Sequence, residues 1–407
     1  MTSLYTSSSG REVTHSSSSS LDVFRLCRRK FKLSRIDGWR QKEKKASREF
    51  GKCIESAVQY YHDNGLKSGE AITEFQRLWA KFIDQTDLTY TDQETDWKSL
   101  NTQGQEMMRL YEITLPTLPI KNPKWQLQFL KPLWPGDPTY GDLQFMGYVD
   151  LLSTLEDGTR IVVDIKTAKS MLDVTPGMMS LDGQLRKYAW VSGIRDVAFL
   201  NFVKTKPDDF KKGTSVTLLE DVEVGGVSDA LKAGQQFVVA KFQAPKEAVE
   251  AAEGVKASPA VPWTMFVATE ETVQKMDKEL DAISGKGAKE ATAAVFTNYI
   301  ISGGLVQVKR DQITKTRLQF VRGTIPEAEL TEIGEQIGSD TMAVHQSSKT
   351  GLYPKDGGVR FPNAVCGWCE MRGICLKDNK LRDELLVQIG PKVQDDDWLK
   401  ELESEVE

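Results

Sequence analysis

Two acids and a lysine near the middle of the chain carry its densest chemistry. In Gly147–Thr167, GYVDLLSTLEDGTRIVVDIKT, Asp150 lies in one apolar run, and Asp164 and Lys166 lie in the next. Each run has the length and character of a strand, and the Asp157-Gly158 step between them is a hairpin signal. Asp164 and Lys166 are two apart, so on a strand their side chains share a face. Carboxylates and an ammonium among Ile161, Val162, Val163 and Ile165 are costly unless something uses them. A hard divalent cation would: Mg²⁺ takes a few carboxylate oxygens, keeps several waters and can activate one. Lys166 beside it could orient or deprotonate that water, or neutralise a phosphate. The plainer alternative is a surface ion pair between Asp164 and Lys166, worth little.

The cysteines are a second, independent signal. There are five, an odd number that does not suit a fully paired disulfide framework. Cys366, Cys369 and Cys375 form C-x2-C-x5-C behind Phe361-Pro362-Asn363, while Cys27 stands far upstream in LDVFRLCRRKF. Three thiolates close in sequence can hold one side of a [4Fe–4S] cluster whose fourth ligand comes from elsewhere, and Cys27 is the candidate. A tetrahedral zinc site or simply reduced, buried thiols are the competing readings. Cys53 falls on an apolar helical stripe and is assigned to the core. With only three histidines, His15, His62 and His345, chemistry built on several of them is not available.

These groups need elements to position them. Phe50, Cys53, Ile54, Ala57, Val58 and Tyr61 recur with helical spacing and predict an amphipathic helix over Ala46–His62, ended by Asp63-Asn64-Gly65. His62 at its end reads as a cation capping the helix C-terminus. A second helix is expected over Gly69–Ile83. Strands are expected over Trp125–Leu130, Phe145–Leu155, Ile161–Lys166 and the unbroken apolar run Val197–Val203, which suits a buried strand. Between the last two a helix over Leu181–Val191 carries Gln184 and Tyr188 four apart on one face. Further helices are expected over Thr269–Ile283 and Lys289–Ile301, and Gln243–Pro262 reads as a linker or exposed insertion. Gly303–Gly358 gives only weak signals.

In this order the residues resemble the RecB-type branch of the PD-(D/E)xK nuclease superfamily. Its run of G-x-x-[VI]-[HE], G-x-[VI]-D, [DE]-x-K and Q-x-x-x-Y is matched by Gly51…Ile54-Glu55, Gly147…Asp150, Asp164…Lys166 and Gln184…Tyr188. The resemblance implies an α/β restriction-endonuclease-like core, a mixed central sheet flanked by helices. It implies that Glu55, Asp150, Asp164 and the backbone carbonyl of Ile165 hold Mg²⁺ or Mn²⁺. Lys166 would then be the catalytic lysine, with Gln184 and Tyr188 placing the DNA strand. At the first-helix position many members have His where this chain has Glu55. The Cys pattern is similar to that of iron–sulfur nucleases of the AddB and CRISPR-associated exonuclease type, in which one Cys precedes the core and three follow. The implied cluster on Cys27, Cys366, Cys369 and Cys375 staples the chain ends and is structural, since hydrolysis needs no electron.

The expected organisation follows from these motifs. A Ser-rich start, 1–20, is expected to be disordered; 21–205 forms the core with Cys27; 206–358 is an insertion or helical region without an assigned role; 359–380 closes the cluster; 381–407 is an acidic tail. The balance of 53 basic and 58 acidic residues in 407 argues against binding nucleic acid by bulk charge. Arg25–Arg48, however, holds eleven Lys/Arg against two acids. It reads either as a tract along phosphates, with Phe31 and Trp39 free to stack on bases, or as a solvated face. No run is long enough for a membrane helix, no secretory leader is visible, and no G-x4-G-K-[ST] phosphate loop occurs. The expectation is a soluble, cytoplasmic, bacterial or phage-encoded exonuclease acting on DNA ends, possibly single-stranded. The alternatives are a catalytically silent DNA-binding scaffold of the same fold and a zinc-stapled endonuclease.

Overall fold

In a computed structural model of the chain, residues 2–90, 96–173, 176–204, 210–223, 231–240, 265–355, 364–367 and 369–388 are described. The chain opens with β1 (Tyr5–Thr6) and β2 (Glu12–Val13), paired with each other, then β3 (His15–Ser17) and α1 (Ser18–Leu26). The expected disorder of residues 1–20 is therefore corrected. Leu4, Tyr5 and Val13 are buried, and the serine run works as a helix start: Ser17 and Ser20 form a reciprocal capping box. Next come α2 (Arg28–Phe31), β4 (Trp39–Gln41), β5 (Lys44–Lys45), α3 (Ala46–Asp63), α4 (Glu70–Ala80), β6 (Leu88–Thr89) and α5 (Trp97–Thr114).

The central sheet is built from β3, β7 (Lys121–Pro132), β8 (Gln144–Thr154), β9 (Arg160–Ala168), β10 (Asp196–Val203) and β16 (Leu318–Thr324). It is mixed: β9 and β10 run parallel, as do β3 and β8, while β7–β8, β8–β9 and β10–β16 are antiparallel. β7 occupies one edge of β8 along its whole length. The other edge is shared, by β3 opposite Gln144–Met146 and by β9 opposite Leu151–Thr154. Gly147–Asp150 therefore lies in a fork where β8 has no partner on that side.

The two sheet faces are both buried. Ile161, Val163, Ile165, Ala198, Leu200 and Phe202 point to α3, α4 and α5. Val162, Val197 and Phe199 point the other way, to α6 (Gly183–Ser192) and its approach. Gly147 makes that approach possible, since a Cβ there would stand 2.8 Å from Val191 Cγ1.

The expected boundary at residue 205 is also corrected. After β10 the chain leaves the sheet to form a second, antiparallel one: β11 (Ser215–Leu218), β12 (Gln236–Ala240), β13 (Met265–Ala268), β14 (Val306–Val308) and β15 (Ile313–Lys315). Helices α7 (Glu270–Asp281) and α8 (Ala288–Ile301) pack there through Met276 and Phe296. The chain then returns: β16 completes the central sheet, and α9 (Glu327–Thr350) packs Ile333, Ile337 and Val344 against α1 and the N-terminal strands. Only part of 206–358 is thus an insertion.

The chain closes with α10 (Ala364–Gly367), α11 (Arg372–Leu376), α12 (Asn379–Leu385) and β17 (Leu386–Gln388). β17 pairs with β4, so the two ends of the chain are joined by a backbone ladder. The expected linker over Gln243–Pro262, the Phe361-Pro362-Asn363 motif and the acidic end after residue 388 lie outside the described residues. Among the described residues no helix is long and apolar enough to cross a membrane.

Candidate active site

The fork in the sheet gathers the acids. Where β8 lacks a neighbour, the Asp150 side chain takes the place of a backbone partner: its Oδ2 accepts from the Ile165 N–H at 3.1 Å. On β9, Asp164 is 0% exposed, and its Oδ2 lies 2.6 Å from Lys166 Nζ. That ion pair and a hydrogen bond shared with Asp150 are the contacts that hold its carboxylate. Lys166 Nζ also donates to Gln184 Oε1 at 2.9 Å, and Gln184 Nε2 donates to the Tyr188 hydroxyl at 2.6 Å. Gln184 is held at the start of α6 by Asp182, whose carboxylate accepts from the Gln184 and Leu185 amides.

Glu55 arrives from the opposite layer. Its helix α3 packs closely because Gly51 has no side chain: a Cβ there would stand 3.2 Å from Thr167 Oγ1. The Glu55 carboxylate accepts a hydrogen bond from Gln126 Nε2. Gln126 was not singled out from the sequence, yet it is marked in the backbone. It has φ of +48° inside β7, a conformation that a non-glycine residue in a strand rarely holds. The β7–β8 register sets it opposite Asp150, and the ladder skips that one pair. A polar residue in an alternating strand carries no label of its own, which is why only the structure finds it.

The electrostatics of this group are those of buried like charges. Burial first, and then Asp164, push the Glu55 carboxyl up to about 7. Burial and then Glu55 push Asp150 up to about 7, and burial with Asp150 raises Asp164 well above the carboxylate range. Burial works against the Lys166 charge, but Asp164 outweighs it and the lysine is held above its ordinary value. Tyr188 is raised, chiefly by burial. The three carboxyls at the fork are oxygen donors of the kind a hard cation takes. Among the described residues, no set of three or more His, Cys, Asp or Glu is arranged to hold a metal ion.

The cysteines are brought to one neighbourhood. Cys27 caps α2, its Sγ accepting from the Lys30 amide, and Lys30 pairs with Glu370 beside Cys369. Burial raises the Cys375 thiol, which also feels Cys27 and Cys366; Cys369, raised by burial too, feels Cys375. Leu33, Met371 and Leu386 pack beside Cys369 and Cys375. Cys53 is a core residue as expected, its thiol pushed up to about 12 by burial.

Two sequence readings are corrected. Phe31 is 1% exposed, packed edge-on to Tyr5 and Phe24, so it is not free to stack on bases. Part of the basic tract is spent within the fold, Arg25 on Asp340, Lys30 on Glu370 and Lys32 on Asp37, and Trp39 lies under Arg382. His62 is not a capping cation. Burial lowers it to about 4, and the neutral ring meets the Tyr111 hydroxyl at 2.6 Å.

A family model described as the PD-(D/E)XK nuclease superfamily matches residues 15–376. No curated protein matches the chain. Among solved structures, the one described as "Crystal structure of SSO0001" is similar at 12% identity and a TM-score of 0.21, the match covering 47% of this chain and 64% of that one. The chain thus spans under two thirds of that structure's length, and so distant a likeness carries no argument.

Proposed function

The chain belongs to the PD-(D/E)XK nuclease superfamily, whose model spans most of its length, and on that premise we propose that it is a metal-dependent DNA exonuclease with a structural [4Fe–4S] cluster. The observation that carries the reading is the fork in the sheet, which gathers Glu55, Asp150 and Asp164 beside Lys166. Glu55, Asp150, Asp164 and the Ile165 carbonyl would hold Mg²⁺ or Mn²⁺. Such a cation supplies neutralising charge at a phosphodiester and acidifies water there. Lys166 serves as the general base or as the cation facing the phosphate, and Gln184 holds its Nζ in place. Tyr188 fixes the Gln184 amide, so the helix motif acts on DNA through a prepared lysine. Gln126 fixes the Glu55 carboxylate.

Cys27, Cys366, Cys369 and Cys375 are proposed as the cluster ligands. Their shared neighbourhood supports this, as does the β4–β17 ladder that joins the chain ends at the same place. A preference for DNA ends follows the resemblance of the motifs, and the Asp150, Asp164 and Lys166 set is complete, which favours an enzyme over the catalytically silent scaffold. The test is cleavage of end-labelled linear DNA and of closed circles in Mg²⁺ or Mn²⁺ by the wild type and Lys166→Met. Loss of the linear DNA alone, abolished in the variant while DNA binding persists, is expected. Activity retained by Lys166→Met would sink the assignment.

A further inference from the structure

Lys166 has a neighbour on the next strand that the motifs do not name. In the parallel β9–β10 pair, Lys166 is in register with Asn201, and in the antiparallel β10–β16 pair Asn201 is in register with Gln319. Residues in register point to the same side of a sheet. Lys166, Asn201 and Gln319 therefore form a polar row on the face covered by α6. Asn201 is 0% exposed, and its Oδ1 is buried without a hydrogen-bond partner.

The orientation of that amide is fixed by its other neighbour. Gln319 clamps the backbone of Leu172 from both sides, Oε1 accepting from the Leu172 N–H at 2.8 Å and Nε2 donating to the Leu172 carbonyl at 2.9 Å. Its Oε1 is thus an acceptor, and Asn201 presents Nδ2 to it at 3.3 Å. Turning the Asn201 amide over would set oxygen against oxygen. Oδ1 is left on the side away from Gln319, which in this row is the side of Lys166. A buried, unpaired acceptor costs about 1–3 kcal/mol, so its retention points to a use.

We propose that Asn201 is a positioning residue for Lys166. Its Oδ1 receives the Nζ when Asp164 is engaged by a cation and no longer holds it. Gln184 on one side and Asn201 on the other then flank the amine with two neutral acceptors. Both keep its place without adding negative charge to a site already crowded with it. This rests on the proposed role of Lys166.

The test compares Asn201→Leu, nearly the same shape without the acceptor, with Asn201→Asp, which keeps an oxygen but adds charge, and with Gln319→Ala, which breaks the clamp and frees the Asn201 amide while leaving its Oδ1 in place. Asn201→Leu is expected to lower kcat ten- to a hundredfold with KM within about twofold, and to leave DNA affinity in EDTA unchanged. Asn201→Asp, which adds a charge where the row needs a neutral acceptor, should stay impaired, and Gln319→Ala should keep most of kcat. In the Lys166→Met background Asn201→Leu should cost nothing more. Crystals grown with Ca²⁺ should show Nζ within hydrogen-bond reach of Asn201 Oδ1. Full kcat in Asn201→Leu, an equal loss in Gln319→Ala, or an Nζ turned away in Ca²⁺ would each overturn the proposal. If Asn201→Leu does not fold, the comparison of Asn201→Asp with Gln319→Ala and the Ca²⁺ structure decide it. Failure of the underlying reading would show separately, as activity surviving Lys166→Met.

Discussion

Asp164→Asn changes the charge of the site while nearly preserving its shape, and the sign of its effect on stability follows from the burial of the acids. Glu55 is held at about 7 against an ordinary 4.5. At ~1.4 kcal/mol per tenfold, that makes its ionised form cost roughly 3 kcal/mol in the fold. Burial is the larger cause and Asp164 the second, so the variant relieves a part. It also removes a carboxylate from a fully buried position. Against this stands the lost contact to Lys166, whose side chain is 38% exposed and keeps Gln184. Water reaches that ammonium, so the loss is held under about 1 kcal/mol. The net expectation is a metal-free variant more stable than wild type by ~1–2 kcal/mol at pH 8.

The gain should depend on pH. A carboxyl raised by folding is protonated in the folded chain at pH values where the unfolded chain has already ionised. Its contribution is favourable at low pH and lost as pH rises through the folded value. For Glu55 and Asp150 the window runs from about 4 up to about 7. At pH 5 both are neutral in the fold, and most of the advantage of Asp164→Asn should be gone. Urea denaturation in EDTA at pH 5, 6, 7 and 8 measures this, with cleavage in Mg²⁺ as the companion assay, where the variant should be inactive. A variant less stable than wild type at pH 8, or a gain that does not change with pH, would refute the reasoning.

Three further outcomes are expected. Gln126→Gly should relieve the left-handed backbone at φ +48°, worth about 1 kcal/mol, yet raise the Mg²⁺ concentration for half-maximal cleavage several-fold, because Glu55 loses its donor; a lower melting temperature with unchanged Mg²⁺ dependence would contradict this. Gly104→Ala should destabilise by ~1–3 kcal/mol, since its Cβ would stand 2.0 Å from the buried Phe75 ring; denaturant midpoints read it directly. Cys375→Ser in anaerobically prepared protein should lose absorbance near ~400 nm and melt earlier, and an unchanged spectrum would remove the cluster from the proposal.

What the sequence disclosed and what it hid have physical causes. α3, β8, β9, α6 and β10 fell close to their expected ranges because each carries one strong period or an unbroken apolar run. The constellation proposed as catalytic was legible for the same reason: acids and a lysine stand out on strands of Val and Ile. α5 was missed because Gly104 interrupts its stripe, and that glycine is there so the helix can lie on Phe75. α9 was missed likewise: a Cβ on Gly334 would meet Trp190 Nε1 at 2.4 Å, and Gly338 lies near Trp134. Close packing and a clear periodic signal compete for the same positions. Gln126 and Asn201 were hidden because their significance lies in register, which no local window contains.

The return of the chain at β16 has a consequence for how this protein can vary. Phe202 near the end of β10 is in register with Leu318 at the start of β16, and the Val203 N–H donates to the Arg317 carbonyl. To the central sheet, everything between them is the loop of one hairpin, and lengthening such a loop costs little entropy. The second sheet is therefore a guest lodged in a turn. It can be rewritten without touching a single ladder that fixes Asp150, Asp164 or Lys166. It is also lodged at a telling place. β9 and β10 run parallel, so the guest departs from the end of the sheet where Lys166 stands. The strands that carry Asp150, Asp164 and Lys166 can stay constant while the sheet lodged beside them changes.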